Sequence, residues 1–75
     1  MKQILIDIAK SIVSNPDEVN VTERIQGNTV YLELSVAKED MGKVIGKQGR
    51  IAKAIRTVAK AAANRNNMHV IVDII

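Results

Sequence analysis

No cysteine, phenylalanine or tryptophan occurs in these 75 residues; Tyr31 is the one tyrosine and Pro16 the one proline. Without thiols the chain can form neither a disulfide framework nor a thiolate metal site, so an apolar core must hold it together, as fits a reducing compartment. With a single tyrosine and no Phe or Trp it has no stacking platform of the kind that RRM and OB-type nucleic-acid binders use. No apolar run approaches the roughly 18 residues of a membrane-spanning helix, and the amino terminus carries no signal- or transit-peptide pattern. The expectation is one soluble, cytoplasmic domain over residues 1–75, too small for a large catalytic cleft.

Acidic residues are also missing from one long stretch. Residues 43–65 hold seven bases (Lys43, Lys47, Arg50, Lys53, Arg56, Lys60 and Arg65) and no acid, whereas residues 1–42 hold four bases and seven acids. The net charge of +3 therefore hides a local polarity. A base-only segment points to a polyanionic partner.

Elsewhere the patterning is that of an α+β domain. From Lys2 to Ser14, Ile4, Leu5, Ile8, Ala9, Ile12 and Val13 recur at the spacing of an amphipathic helix, which Asn15-Pro16 ends. Ile6 and Val13 widen its apolar arc, either at the core margin or towards a subunit contact. Val19 to Gln26 and Thr29 to Val36 alternate with period two around Gly27-Asn28, which predicts a hairpin with Ile25 opposite Val30, Val21 opposite Leu34 and Val19 opposite Val36. Glu23 is the polar exception on that face and is expected at the sheet's periphery. After a connection from Ala37, Glu39 and Asp40 supply N-cap and first-turn acids for a short helix, Met41 to Ile45. A longer helix from Gly49 to about Asn64 sets Ile51, Ile55, Val58 and Ala62 on one side and Arg50, Lys53, Arg56 and Lys60 roughly opposite. Met68 to Ile75 returns to period two, with Met68, Val70, Val72 and Ile74 facing one way. The order α-β-β-α-α-β predicts a three-stranded sheet covered on one side by three helices.

The two later helices meet at Val44-Ile45-Gly46-Lys47-Gln48-Gly49-Arg50-Ile51. Gly46 and Gly49 admit positive φ and close backbone approach. The helix that follows turns unpaired N–H groups and the positive end of its dipole outward, an arrangement that attracts phosphate. Lys47 within the turn, Arg50 after it, and Lys43 and Lys53 a helical turn to either side give the local charge the matching sign.

This segment resembles the I-G-x-x-G core motif of KH domains, and the element order matches their type II arrangement, whose three-stranded sheet is mixed. The resemblance covers the whole chain and is to the small bacterial KH proteins of the KhpA type. It implies binding of single-stranded RNA, an RNA-chaperone or post-transcriptional role, a link to cell-wall growth and cell shape, and homodimers or heterodimers with a larger KH-containing partner of the KhpB (Jag-like) type. It further implies that Gly46, Lys47, Gln48 and Gly49 hold the sugar-phosphate backbone of about four nucleotides. Lys43, Arg50 and Lys53 would add charge, and Val44, Ile45 and Ile51, with the last strand around Val70 to Val72, would form an apolar groove.

Other chemistries fit poorly. Gly42-Lys43-Val44-Ile45-Gly46-Lys47-Gln48 has three residues between its glycines where a nucleotide-binding phosphate loop needs four, and Gln48 stands where that loop needs Ser or Thr. Lone His69 lacks partners for a metal or a catalytic base, and no cofactor pattern is present, so the chain does not read as an enzyme. A protein-interaction adaptor that uses the fold chiefly to dimerise remains the alternative to an RNA-binding module.

Overall fold

In the computed structural model, which describes residues 2–75, the chain runs α1 (Lys2–Ile12), β1 (Asn20–Gln26), β2 (Thr29–Ser35), α2 (Met41–Ile45), α3 (Arg50–Arg65) and β3 (His69–Ile74). Single 3₁₀ turns at Pro16–Glu18, Lys38–Asp40 and Lys47–Gly49 punctuate the expected order. The hairpin forms in the register its apolar pattern dictates, Ile25 opposite Val30 and Val21 opposite Leu34, around Gly27 at φ +60°. β3 lies parallel to β2, with Val70 beside Val30 and Val72 beside Leu32, so the sheet is mixed and ordered β1-β2-β3. This is the type II KH architecture.

One face of the sheet makes the core. Val30, Leu32, Leu34 and Val36, then Val70 and Val72 from β3, are buried beneath Leu5 and Ala9 of α1, Val44 of α2 and Ile55, Ala59 and Ala63 of α3. Each fully buried Val, Leu or Ile contributes about 1.5–3 kcal/mol relative to exposure. Among the described residues no helix covers the opposite face; Tyr31 lies there with the Arg24 guanidinium 4.7 Å above its ring.

Three local features depart from the sequence pattern, each for a reason that lies in tertiary packing. α1 stops at Ile12 rather than Ser14. The Val13 N–H still donates to the Ala9 carbonyl at 3.1 Å, but the N–H groups of Ser14 and Asn15 turn to the carboxylate of Asp40. β1 shares an apolar face with β2, yet the helices do not reach its far end, and Ile25 beside the turn stays 57% exposed. α3 buries Ala52, Ile55, Ala59 and Ala63, while Ile51 and Val58 stand about a quarter turn away, exposed. The inward alanines let the helix approach the sheet closely, which the bulkier Ile51 and Val58 would prevent. The surplus apolar surface of α1 likewise falls on Ile4, which is exposed, with Ile8 and Ile12 half-buried beside it; Ile6 is itself half-buried.

Candidate nucleic-acid interface

The turn between α2 and α3 depends on its two glycines for different reasons. Gly46 has φ +73° and ψ 177°. A Cβ there would collide with the side chain of Ile51 and lie 3.1 Å from the Ile51 backbone nitrogen, so both the dihedral and the space demand glycine. Gly49, at φ +72° and ψ 15°, is left-handed but open, with nothing within 4 Å of the place a methyl group would take. Between them Gln48 also sits left-handed at φ +57°, an uncommon conformation for a side-chain-bearing residue. The turn is closed by the Gly46 N–H donating to the Gly42 carbonyl at 2.8 Å and the Gly49 N–H donating to the Gly46 carbonyl at 3.3 Å. α3 begins at Arg50, so its amino end opens at the turn, where fixed N–H dipoles favour an anion. Lys47, Gln48 and Arg50 are exposed around it, and Lys53 is exposed one helical turn further on.

Lys43 is engaged elsewhere. Its Nζ donates to the Ser14 hydroxyl and lies 3.7 Å from Asp40 Oδ1, the one ion pair among the described residues. Asp40 is the centre of this clasp and is 1% exposed. Its Oδ1 accepts from the Ser14 N–H at 3.1 Å, and its Oδ2 accepts from the Asn15 N–H and the Asn15 side-chain amide, each at 3.0 Å. Burial pushes the Asp40 carboxyl up, but the Asn15 side chain, the Ser14 and Asn15 amides and the Lys43 charge together outweigh it and hold the group below its ordinary 3.8. Asp40 does occupy the position before α2, yet its side chain makes no cap bond to that helix. It instead fastens the end of α1 to the start of α2, a contact 25 or 26 residues distant in sequence that no local pattern announces.

The apolar candidates divide. Val44 is fully buried in the core, Val70 and Val72 are nearly so, and none of the three offers surface to a ligand. Ile45 and Ile51 are exposed beside the turn. Ile51 also lines a cleft of about 260 Å³ between α1 and α3, walled by Ile8, Ile12, Ala54, Ile55 and Val58. Sequence reasoning did not find this cleft, because the 3.6-residue pattern does not divide the apolar side of a helix between core and surface. Nor did it resolve Arg56, whose Nε donates to the Val72 carbonyl at 3.3 Å.

The chain therefore carries a strained two-glycine turn at the head of a helix, ringed by cations, on a three-stranded mixed sheet. It matches the KhpA/KhpB KH-domain family over residues 2–74. Across their full lengths it is 65% identical to the RNA-binding protein KhpA of Clostridium acetobutylicum and 59% identical to that of Clostridium perfringens, over 75 residues in each case. It is 51% identical to the RNA-binding protein KhpA of Chlamydia pneumoniae, with 99% of this chain and 95% of the relative aligned. Its motif, its fold and its relatives agree, and the chain belongs to the KhpA/KhpB family of KH-domain proteins.

Proposed function

We propose that this chain binds single-stranded RNA by its backbone, clamping it on the Gly46-Lys47-Gln48-Gly49 turn, and acts in the cytoplasm as an RNA chaperone or post-transcriptional regulator. The observation that carries this reading is the turn itself: two glycines with positive φ at the head of α3, within a stretch of seven bases and no acid. Its curated relatives are named RNA-binding proteins, which supports the same reading. In it, Lys47, Gln48, Arg50 and Lys53 meet phosphates, Ile45 and Ile51 give the nearest nucleotides an apolar contact, and Lys43 contributes only by releasing the Ser14 hydroxyl. A backbone clamp positions a strand without reading its sequence. Replacing Lys47 and Gln48 with Asp abolishes binding of an eight-nucleotide RNA while leaving the thermal melt unchanged, and wild-type affinity falls with salt at a logarithmic slope of about −0.7 per phosphate contacted. Undiminished affinity of the double variant, or affinity insensitive to salt, refutes the clamp.

The apolar cleft between α1 and α3 favours a second function that coexists with the first. In this reading Ile8, Ile12 and Val58 take a second copy of the chain, or the larger KH-containing partner of the KhpB type, and the role in cell-wall growth and cell shape that the family resemblance implies would rest on that assembly. Two weak RNA clamps on one dimer gain affinity through avidity. Sedimentation of the Ile8→Asp variant tests this: an assembly of unaltered mass excludes the cleft as its interface.

A further inference from the structure

The face of the sheet turned away from the helices is composed in rows. Strand register sets Arg24, Tyr31 and Ile71 side by side, and Thr22, Glu33 and Asp73 in the row beside them. The alternate positions of β2 and β3 are buried in the core, so both rows project to the opposite side. Tyr31 is half-buried there and Ile71 is 46% exposed.

Glu33 and Asp73 are direct partners on β2 and β3, whose strands run about 4.8 Å apart. Like charges so placed repel one another and weaken a sheet. Arg24 is the one permanent cation in these rows, yet its guanidinium lies over the Tyr31 ring, and neither carboxylate has a base within ion-pair distance among the described residues. The two acids border a hollow of about 150 Å³ whose other walls are Thr22, Arg24 and Tyr31. It has room for the head of one basic side chain.

The charge of this face selects its occupant. Two negative charges against one positive repel a polyanion, and the base-only stretch that attracts one belongs to α2, the glycine turn and α3 on the other side of the sheet. A face offers side chains rather than a free main-chain ladder, and a helix is the element that covers a sheet face. Spacing agrees: Ile71 and Asp73 lie about 6.6 Å apart along β3, and helix residues four apart are about 6 Å apart along the axis. We infer that the open face of the sheet docks a basic amphipathic helix of a partner protein. One of its cations enters the hollow between Glu33 and Asp73, and its apolar side chains cover Ile71 and the exposed part of Tyr31. This docking is independent of the RNA clamp and leaves the glycine turn free.

NMR titration of the isotope-labelled full chain tests it residue by residue. The probe is a synthetic helix of about 18 residues, long enough to be helical alone, with leucine and arginine alternating at every fourth position. Amide shifts are expected at Arg24, Tyr31, Glu33, Ile71 and Asp73, with Gly46 to Gly49 unmoved. Exchanging the arginines of the probe for glutamate, or replacing Glu33 with Gln together with Asp73 with Asn, weakens binding about tenfold. The melting temperature of that double variant is unchanged or raised, because a like-charge pair has been removed. Should it fall instead, Asp73→Asn alone carries the comparison. Shifts centred on Ile8, Ile12 and Val58 place the probe in the apolar cleft and overturn the docking. So does equal affinity for the glutamate probe, affinity that survives removal of the acids, or no binding up to about 1 mM. An eight-nucleotide RNA leaves both rows unshifted; shifts there on adding RNA make the face a nucleic-acid surface and overturn the choice of a basic partner.

Discussion

Helix α3 turns Ile51, Ala54 and Val58 to one side, where Ile8 and Ile12 of α1 complete an apolar cleft, and Lys53, Arg56 and Lys60 to the other, beside the open edge of β3. Its third face, Ala52, Ile55, Ala59 and Ala63, is buried. A helix that anchors itself with three alanines and one isoleucine spends little of its circumference on the core. The remainder is left for two chemistries that could not share one face. An apolar partner gains by excluding water, whereas a row of ammonium and guanidinium groups keeps its hydration until a polyanion replaces it.

The two flanks meet at Gly46, over which Ile51 is packed, and the largest effect is expected there. Gly46→Ala forces both a positive φ on alanine and a collision with Ile51, at a cost of about 3 kcal/mol. It lowers the melting temperature by roughly 15 °C and impairs RNA binding and assembly together; a variant that loses only one of them shows the flanks to be independent at this point. Val58→Asp acts on the apolar flank alone. It weakens self-association or partner binding by about a hundredfold, near 2.7 kcal/mol, and leaves the salt slope of RNA binding unchanged. Charge reversal of the other flank, Lys53→Glu with Lys60→Glu, does the converse: RNA affinity drops about tenfold and the sedimenting mass stays the same. Gly49→Ala has the smallest effect at neutral pH, about 1 kcal/mol from the left-handed dihedral alone, since its methyl group meets open space. A melt of this variant as low as that of Gly46→Ala removes the distinction between the two glycines.

Acid provides a further separation, because Asp40 secures α1 and hence one wall of the cleft. The folded carboxyl titrates below its ordinary value, so its stabilisation is complete above about pH 4, the unfolded value, and is lost as pH falls through the folded one. Thermal melts between pH 6 and pH 2 should therefore decline for the wild type below about pH 4 and run flatter in that window for Asp40→Asn, which is the less stable protein at pH 6. Parallel curves would show that Asp40 does not govern this transition.

Much of this arrangement was legible in the sequence. The limits of α2, the hairpin register and the alternating faces of β2 and β3 follow from local spacing and turn chemistry, and the glycine turn from four consecutive residues. The segregation of bases from large apolar residues on α3 was also readable. Which arc of that helix would face the sheet was not, since alanine is apolar enough for the core and small enough for any surface, and packing distance decided the matter. The role of Asp40 was hidden for a related reason. An acid just before a helix reads as a cap, whereas its actual donors, Ser14 and Asn15, lie far upstream. The apolar arc of α1 was wider than one core could use: Ile4 is exposed, Ile6, Ile8 and Ile12 are half-buried, and Val13 is half-buried against the core.

The parallel pairing of β2 with β3 has a consequence for how the site comes into being. Parallel neighbours require the chain to travel back along the sheet before the second strand can pair. In this protein that return journey is α2, the glycine turn and α3. The turn is thus part of the crossover, and its geometry is imposed when β3 docks. β3 follows the turn in the chain, so the crossover is closed only once β3 has paired with β2. The clamp proposed on this turn would therefore depend on the closing of the sheet, in the same cooperative step as the fold.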